Sequence, residues 1–304
     1  MKKENRLPYY RWSWGDRYDG WRVRRVDAVF RVIPYILRTR MDAQNFFEEK
    51  IQIDQIEEFI KKHREDIPDL SIMHVIMAAL VRLISQRPHL NRFVVWNKIF
   101  ARNHINFSIA IKRSLTDAGE ETLIKPYFLP QDTLLDVVSK TRELQEANQK
   151  VGTKNASDTI SRVLGVLPDS LMRIVAWLML SLDKVGLLPK FINEASPWHC
   201  SIFLTNIGSI GVESIYHHLY EFGTCSNFVA MGKKSRQHLM NTHGNLVAHK
   251  RIALKFVLDE RICDGFYYAS SMRLLSKYLD NPEVLLTAPE KVVIDEGVGK
   301  KRVD

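Results

Sequence analysis

Two carboxylates, Glu260 and Asp264, lie four residues apart, directly after a segment in which apolar and polar residues alternate. Carboxylates act as general bases in enzymes when burial or a neighbouring like charge raises their pKa towards neutrality. An ordinary glutamate has a pKa near about 4.3, so Glu260 needs a rise of roughly two units to act as a base at pH 7. A closed channel or the charge of Asp264 would supply part of that rise.

Other side chains that bind metals or act as nucleophiles give weaker signals. The three cysteines, Cys200, Cys225 and Cys263, are far apart and lack the spacing of metal ligands. Their odd number, without a disulfide pattern, indicates a reducing compartment and predicts a cytoplasmic protein with no metal site. Four histidines are interpreted as ordinary packed or surface side chains: His74, His199, His217 and His218.

The chain carries a net charge of +9, and most of it lies near the N-terminus. Residues 1–40 contain eleven lysines and arginines against four acidic residues, with aromatic residues interleaved among them. Such a segment is typical of a nucleic-acid site, a membrane-contacting surface or an arm that wraps a domain or a neighbouring subunit. We favour the arm, because no nucleic-acid motif accompanies the charge, and predict no nucleic-acid partner. Peripheral membrane contact stays open. No apolar segment follows the first basic residues, so no signal peptide is predicted.

The periodicity of the sequence predicts a mixture of strands and helices. Residues 32–54 are predicted to be extended, with a short helix beginning at a cap on Asp54. Ser71 is predicted to cap a buried helix that stops before Pro88. The remaining predictions are strands at 106–112, 201–204, 228–232 and 249–259, and helices at 133–148 and after Gly265.

The segment 160–192 interrupts this pattern. Its most apolar run, residues 174–182, is nine residues long and too short to span a bilayer. It suits a lid over an acyl chain, an interfacial helix or packed structure. Packed structure is the favoured interpretation, and contact with a membrane surface is the second.

Several motifs, in this order of elements, resemble those of chloramphenicol acetyltransferase and of the catalytic domain of dihydrolipoyl acyltransferases, the cores of 2-oxo acid dehydrogenase complexes. Leu204–Gly211 is similar to the Ser/Thr-Asn-Leu/Ile-Gly turn of that family. Asp259–Gly265 is similar to its Asp-His-Arg-x-x-Asp-Gly motif, and Asn281–Glu283 to its last motif. Ser71–Pro88 and the segment around Pro34 match more loosely. Together these motifs cover roughly residues 30 to 290 apart from the insertion.

The resemblance implies an α/β fold, a chloramphenicol-acetyltransferase-like mixed-sheet sandwich with flanking helices. It also implies a homotrimer whose active sites lie between subunits. The chain then divides into a basic aromatic arm (1–30), a single catalytic domain (31–295) with a helical insertion at about 155–195, and a basic tail (296–304).

The resemblance also assigns roles to residues. The catalytic histidine of the family, which accepts the proton of a thiol, corresponds to Glu260. Asp264 corresponds to an aspartate with a structural role, which orients the turn through an arginine pair, and Thr205 to the hydroxyl that stabilises the tetrahedral oxyanion. Because Glu260 replaces a histidine, it is either a carboxylate base or part of a turn without chemistry, paired with Arg261 or with the arm.

The expected function is a stand-alone acyltransferase that moves an acyl group between a coenzyme A thioester and a small-molecule acceptor. The sequence shows no lipoyl domain or linker typical of a complex core, so no covalent lipoyl group is expected on this chain. A catalytically inactive binding or scaffolding member of the fold is the alternative. A mixed trimer, in which a partner chain supplies a histidine, also stays open.

Overall fold

The computed structural model describes residues 3–112, 121–149, 156–240, 242 and 244–303. Residues 1, 2, 155 and 304, which belong to the predicted arm, insertion and tail, lie outside them. The strands are β1 (Gly20–Arg22), β2 (Gln44–Gln52), β3 (Arg92–Val95), β4 (Lys98–Arg102), β5 (Ile105–Lys112), β6 (Glu121–Ile124), β7 (Tyr127–Phe128), β8 (Ile202–Asn206), β9 (Asn227–Met231), β10 (Ser235–Met240) and β11 (Leu246–Asp259). The helices are α1 (Ala28–Ile36), α2 (Asp54–Lys62), α3 (Ile72–Gln86), α4 (Leu134–Gln149), α5 (Ala156–Gly165), α6 (Asp169–Lys184), α7 (Lys190–Ala195) and α8 (Gly265–Asp280).

A large mixed sheet forms the centre of the molecule, with the order β10-β11-β9-β8-β5-β6, and β2 and β7 pair with β11 and β5. Strands β5, β8 and β9 run parallel to one another, whereas the other pairs are antiparallel. A second, three-stranded sheet has the order β1-β4-β3. The architecture is the mixed-sheet α/β fold with flanking helices that the sequence predicts.

Helix α3 forms much of the core beside this sheet. It begins where the Ser71 hydroxyl accepts a hydrogen bond from the backbone N–H of His74 at 3.4 Å, as the sequence predicts. Almost all of its residues are buried, because apolar side chains surround the helix on every side. It packs between α4 and α8, and its contacts with α8 hold that helix in place.

Strand β11 connects the two regions where site residues are predicted. Ile252, Leu254 and Leu258 alternate along it and are buried, as its period of two predicts. Strand β2 pairs with it from Gln52 opposite Arg251 to Gln44 opposite Asp259. This register places side chains of β2 next to the turn that follows β11.

The prediction of extended structure from residue 32 was wrong for its first part. Residues 28–36 form α1, because the carboxylate of Asp27 accepts a hydrogen bond from the N–H of Val29 at 2.9 Å. Pro34 is buried within this helix. Asp54 does begin α2 but does not cap it, since its carboxylate accepts the N–H of Lys250 at 3.1 Å instead.

The N-terminal arm lies against the domain. Tyr10 and Trp21 are buried in the core and meet edge to face, with ring centroids 5.3 Å apart. Strand β1 pairs with β4, while Trp12 and Trp14 remain exposed. The predicted insertion forms α5, α6 and α7, and these helices are largely exposed. The favoured interpretation, packed structure, fits only part of the segment: Leu188 and Asn193 are buried, whereas most of α6 is exposed. No described helix is long and apolar enough to cross a membrane.

Candidate active site

The turn after β11 is held by the neighbours of Glu260. Asp259 is fully buried and binds Arg261 through two hydrogen bonds, from Nε to Oδ1 at 2.8 Å and from Nη2 to Oδ2 at 2.7 Å. Nη1 of Arg261 donates to the carbonyl of Leu37 at 3.1 Å, and the hydroxyl of Tyr268 donates to the carbonyl of Asp259 at 2.7 Å. The bidentate pair and these backbone contacts give the turn a defined geometry.

Glu260 itself is half-buried and is held by β2 and the residue that precedes it. Its backbone N–H donates to the carbonyl of Ala43 at 2.9 Å. Its Oε2 accepts a hydrogen bond from Nδ2 of Asn45, also at 2.9 Å, and the described residues supply no partner for Oε1. The expected alternative, in which Glu260 pairs with Arg261, is not what the structure shows, because Arg261 is bound to Asp259. Asn45 was missed at the sequence level, since only the register of β2 and β11 brings it to this turn.

Asp264 marks the start of α8 and is exposed. Its Oδ1 accepts a hydrogen bond from the N–H of Tyr267 at 2.7 Å, so it is the N-cap of the helix. The pair of an aspartate with an arginine in this turn is made by Asp259 and Arg261 instead. The carboxylate of Asp264 thus has a structural role of a different kind from the one the resemblance implies.

A histidine that the sequence gave no reason to choose lies close to this helix. The ring of His89 stacks on Tyr267 with centroids 4.6 Å apart, and its Nε2 lies 3.7 Å from Oδ1 of Asp295. Burial lowers the pKa of His89 to about 4, so the imidazole is neutral at pH 7. His199 is buried beside Asp183 and Ser196.

Thr205 is half-buried near the end of β8, where the strand turns sharply. Oδ1 of Asn206 accepts from the N–H of Ser209 at 3.2 Å and closes the following 3₁₀ turn, Ile207–Ile210. Gly208 faces the backbone of Gly232 so closely that a Cβ atom has no room there. The Asn-Ile-Gly motif therefore shapes a tight turn that sets Thr205 at the wall of a cleft.

That cleft has a volume of about 990 Å³ and lies between the ends of β8 and β9, the start of α3 and α4. Its charged side chains are largely paired. Lys234 Nζ lies 2.6 Å from Glu57, and Arg142 lies 3.2 Å from Asp69. His74 also lines the cleft, and burial lowers its pKa. Among the described residues, no group of three or more His, Cys, Asp and Glu side chains is arranged to hold a metal ion.

The two predicted halves of the site lie at opposite ends of the sheet. Thr205 pairs with Ala230, which pairs with Lys255 on β11. Glu260 follows five residues later, which at about 3.3 Å per residue separates it from Thr205 by roughly 16 Å along the strands, with two strand spacings of about 5 Å across. A base and an oxyanion donor must both lie within hydrogen-bond reach of the reacting group. One chain therefore does not bring Thr205 and Glu260 together.

Comparisons with known proteins agree with this architecture. Residues 198–287, which include both the Thr205 turn and the Glu260 turn, match the model of the family described as 2-oxoacid dehydrogenases acyltransferase (catalytic domain). A search among curated protein sequences found no match.

Three of the matching solved structures illustrate the shared fold. The cubic core of the pyruvate dehydrogenase multienzyme complex aligns with a TM-score of 0.54 at 13% identity, over 85% of this chain and 89% of that one. A probable dihydrolipoamide acetyltransferase from Listeria monocytogenes aligns with 0.53 at 12%, over 84% and 92%. Dihydrolipoamide acetyltransferase from Azotobacter vinelandii aligns with 0.54 at 13%, over 85% and 89%. The resemblance to acyltransferase catalytic domains and the fold class predicted from the sequence are confirmed.

Proposed function

We propose that this chain is a stand-alone acyltransferase that moves an acyl group between a coenzyme A thioester and a small-molecule acceptor. Its active site is formed between subunits of a homotrimer, from the Thr205 cleft of one chain and the Glu260 turn of the next. The observation that carries the proposal is the placement of the two motifs: both lie within the acyltransferase family match, yet at opposite ends of one sheet.

The chemistry assigns a role to each residue. Glu260 accepts the proton of the acceptor nucleophile, which attacks the carbonyl carbon of the thioester. The hydroxyl of Thr205 donates a hydrogen bond to the oxyanion of the tetrahedral intermediate. When the intermediate collapses, the carbon–sulfur bond breaks and the coenzyme A sulfur takes the proton from Glu260. Asn45 orients the carboxylate through Oε2 and leaves Oε1 to accept and return the proton.

The cleft at Thr205 suits a thioester substrate. Its volume of about 990 Å³ lies at the upper end of the range typical of small-molecule sites, so it has room for an extended arm such as pantetheine. Lys233 and Lys234 lie on its wall just after β9; they pair with Glu213 and Glu57 in this chain, and such cations favour the phosphates of coenzyme A. The similar protein described as a cubic core is itself an assembly, which supports a closed oligomer for this chain.

The test measures release of coenzyme A from a panel of acyl-CoA thioesters, with and without amine, alcohol and thiol acceptors. We expect turnover in the wild type, a loss of roughly 10²-fold or more in Glu260→Gln, and a loss of similar size in Thr205→Ala. Glu283→Gln is the matched control, because it neutralises an exposed carboxylate that pairs with Lys62 instead. Unchanged turnover in Glu260→Gln would show that Glu260 is not the base.

A second candidate function is a binding or scaffolding member of the fold. It is favoured by one observation, namely that Glu260 occupies the position of a histidine while the surrounding turn is intact. A wild type without turnover that gains activity in Glu260→His would support this function. Activity only after addition of a partner chain would indicate a mixed trimer.

A further inference from the structure

Helix α6 is an apolar helix that the described residues of this chain leave largely uncovered. Of its sixteen residues only Asp183 is buried. Trp177 is 68% exposed and Ile174 61% exposed, although both are large apolar side chains. The neighbouring segments of α5 and α7 and their connections add further exposed apolar side chains, namely Val163, Val166, Leu171, Leu178, Leu180, Val185, Leu187 and Phe191.

These exposed apolar side chains, called here the α6 patch, represent a large amount of apolar surface for one short segment. An aromatic side chain such as Trp177 has on the order of 200 Å² to bury, so at its exposure it alone leaves well over 100 Å² in water. The largest apolar patch of a typical monomer measures about 300 to 600 Å². Ten exposed large apolar side chains fall within residues 163–191, a concentration that marks an interaction surface.

The charges around the patch indicate what covers it. Four cations of the segment are exposed, namely Arg162, Arg173, Lys184 and Lys190. Of the four acids in the same segment, Asp169 is exposed, Asp158 and Glu194 are half-buried, and Asp183 is buried in an ion pair with Arg17. An apolar face bordered by cations is complementary to a lipid bilayer with anionic head groups. A second copy docking face to same face, as in a two-fold symmetric dimer, would bring like charges together.

The length and anchoring of the helix fit the same partner. Sixteen residues of helix are about 24 Å long, and no described helix can cross a membrane, so α6 suits the plane of the interface. The C-terminal end of α6 is bound to the arm, because Nη2 of Arg17 donates to Oδ1 of Asp183 at 2.8 Å. Trp14, three residues before Arg17, is 89% exposed. Tryptophan favours the boundary between lipid and water.

We propose that α5–α7, together with Trp14 of the arm, form a surface that binds bilayers containing anionic lipids. The apolar face of α6 enters the boundary between head groups and acyl chains. The surrounding cations contact lipid phosphates. This surface is separate from Thr205 and Glu260, so the proposal does not depend on acyl transfer.

The test is co-sedimentation of the full chain with phosphatidylcholine vesicles, with and without 30% phosphatidylglycerol, at low and at high salt. We expect binding to the anionic vesicles that is at least about tenfold stronger than to phosphatidylcholine alone and that weakens with salt. The double change Ile174→Asp and Trp177→Asp is expected to reduce binding to anionic vesicles at least about tenfold. Met240→Asp is the control, because Met240 is 71% exposed on β10, outside the patch.

Three results would overturn the proposal. The first is absence of binding to anionic vesicles, and the second is equal binding by wild type and the double variant. The third is a double variant that loses oligomer mass in sedimentation velocity, which would assign the patch to contacts between copies. Circular dichroism of each variant excludes misfolding as the cause. As a second measurement, brominated lipid is expected to quench wild-type fluorescence more than that of Trp177→Phe.

Discussion

Mixing two inactive variants tests whether the active site lies between subunits. Thr205→Ala removes the oxyanion donor, and Glu260→Gln removes the base. Each homo-oligomer alone is expected to lose roughly 10²-fold or more of the turnover. Because the two residues lie roughly 16 Å apart along the sheet, each intact site needs Thr205 from one chain and Glu260 from another.

The recovered activity follows from the assembly. In oligomers formed at random from equal amounts of the two variants, half of the chains carry an intact Thr205 and half an intact Glu260. A site between two chains is complete only when each side comes from the correct variant, which occurs in about one quarter of the sites. The mixture should therefore recover about 25% of wild-type turnover per site, whatever the number of subunits in the closed ring.

The assay is coenzyme A release after the variants are unfolded together and refolded, or co-expressed with different tags. The control is the same mixture without subunit exchange, made by combining the folded variants briefly at low temperature. Mixed oligomers with no more activity than the separate variants would refute a site shared between chains. Recovery without exchange would show that the variants were not inactive.

Three further predictions concern the stability of the fold. Burial lowers the pKa of His89 to about 4, so the unfolded chain takes up its proton first, near pH 6.5, and the free energy of unfolding falls as the pH drops from 6.5 towards 4. Because the ring is about one third exposed, this contribution to the free energy of unfolding should be about 1–2 kcal/mol. In His89→Gln the denaturation midpoint should therefore change less between pH 6.5 and pH 4 than in the wild type. Arg261→Met leaves the carboxylate of Asp259 buried without its partner and should cost about 3–5 kcal/mol in urea unfolding; a loss under 1 kcal/mol would contradict the role given to the pair. Gly208→Ala forces a Cβ atom against the backbone of Gly232 and should cost about 1–3 kcal/mol, whereas Gly165→Ala, which meets open space, is the control expected to be neutral or stabilising.

The parts of the fold that the sequence predicts are those fixed by local chemistry. The helix after Ser71 follows from its cap and its apolar residues, and β11 from its alternation. The extended prediction at 32–36 failed because the cap on Asp27 and the burial of Pro34 decide the conformation there. The Asp27 cap is a local signal that periodicity does not report. The burial of Pro34 depends on the tertiary structure, which no local pattern reports.

The site divides in the same way. The turns around Thr205 and Glu260 are visible as motifs, but their separation depends on the register of three strands. Asn45 reaches Glu260 only through the pairing of β2 with β11, and pairing between distant strands leaves no signal in a single sequence. For the insertion, apolar content predicted burial, whereas the described residues of this chain leave α6 largely exposed.

The hydrogen bonds around Glu260 indicate that its side chain can be replaced without unfolding the turn. Asp259, Arg261, Asp264 and Tyr268 make the contacts that shape the turn, whereas the side chain of Glu260 makes one described hydrogen bond, to Asn45. Loss of a single partly exposed hydrogen bond costs about 0.5–1.5 kcal/mol. Glu260→Gln and Glu260→His should therefore unfold within about 1.5 kcal/mol of the wild type in urea. A larger loss would mean that Glu260 supports the turn itself, and activity changes in these variants would then report folding instead of chemistry.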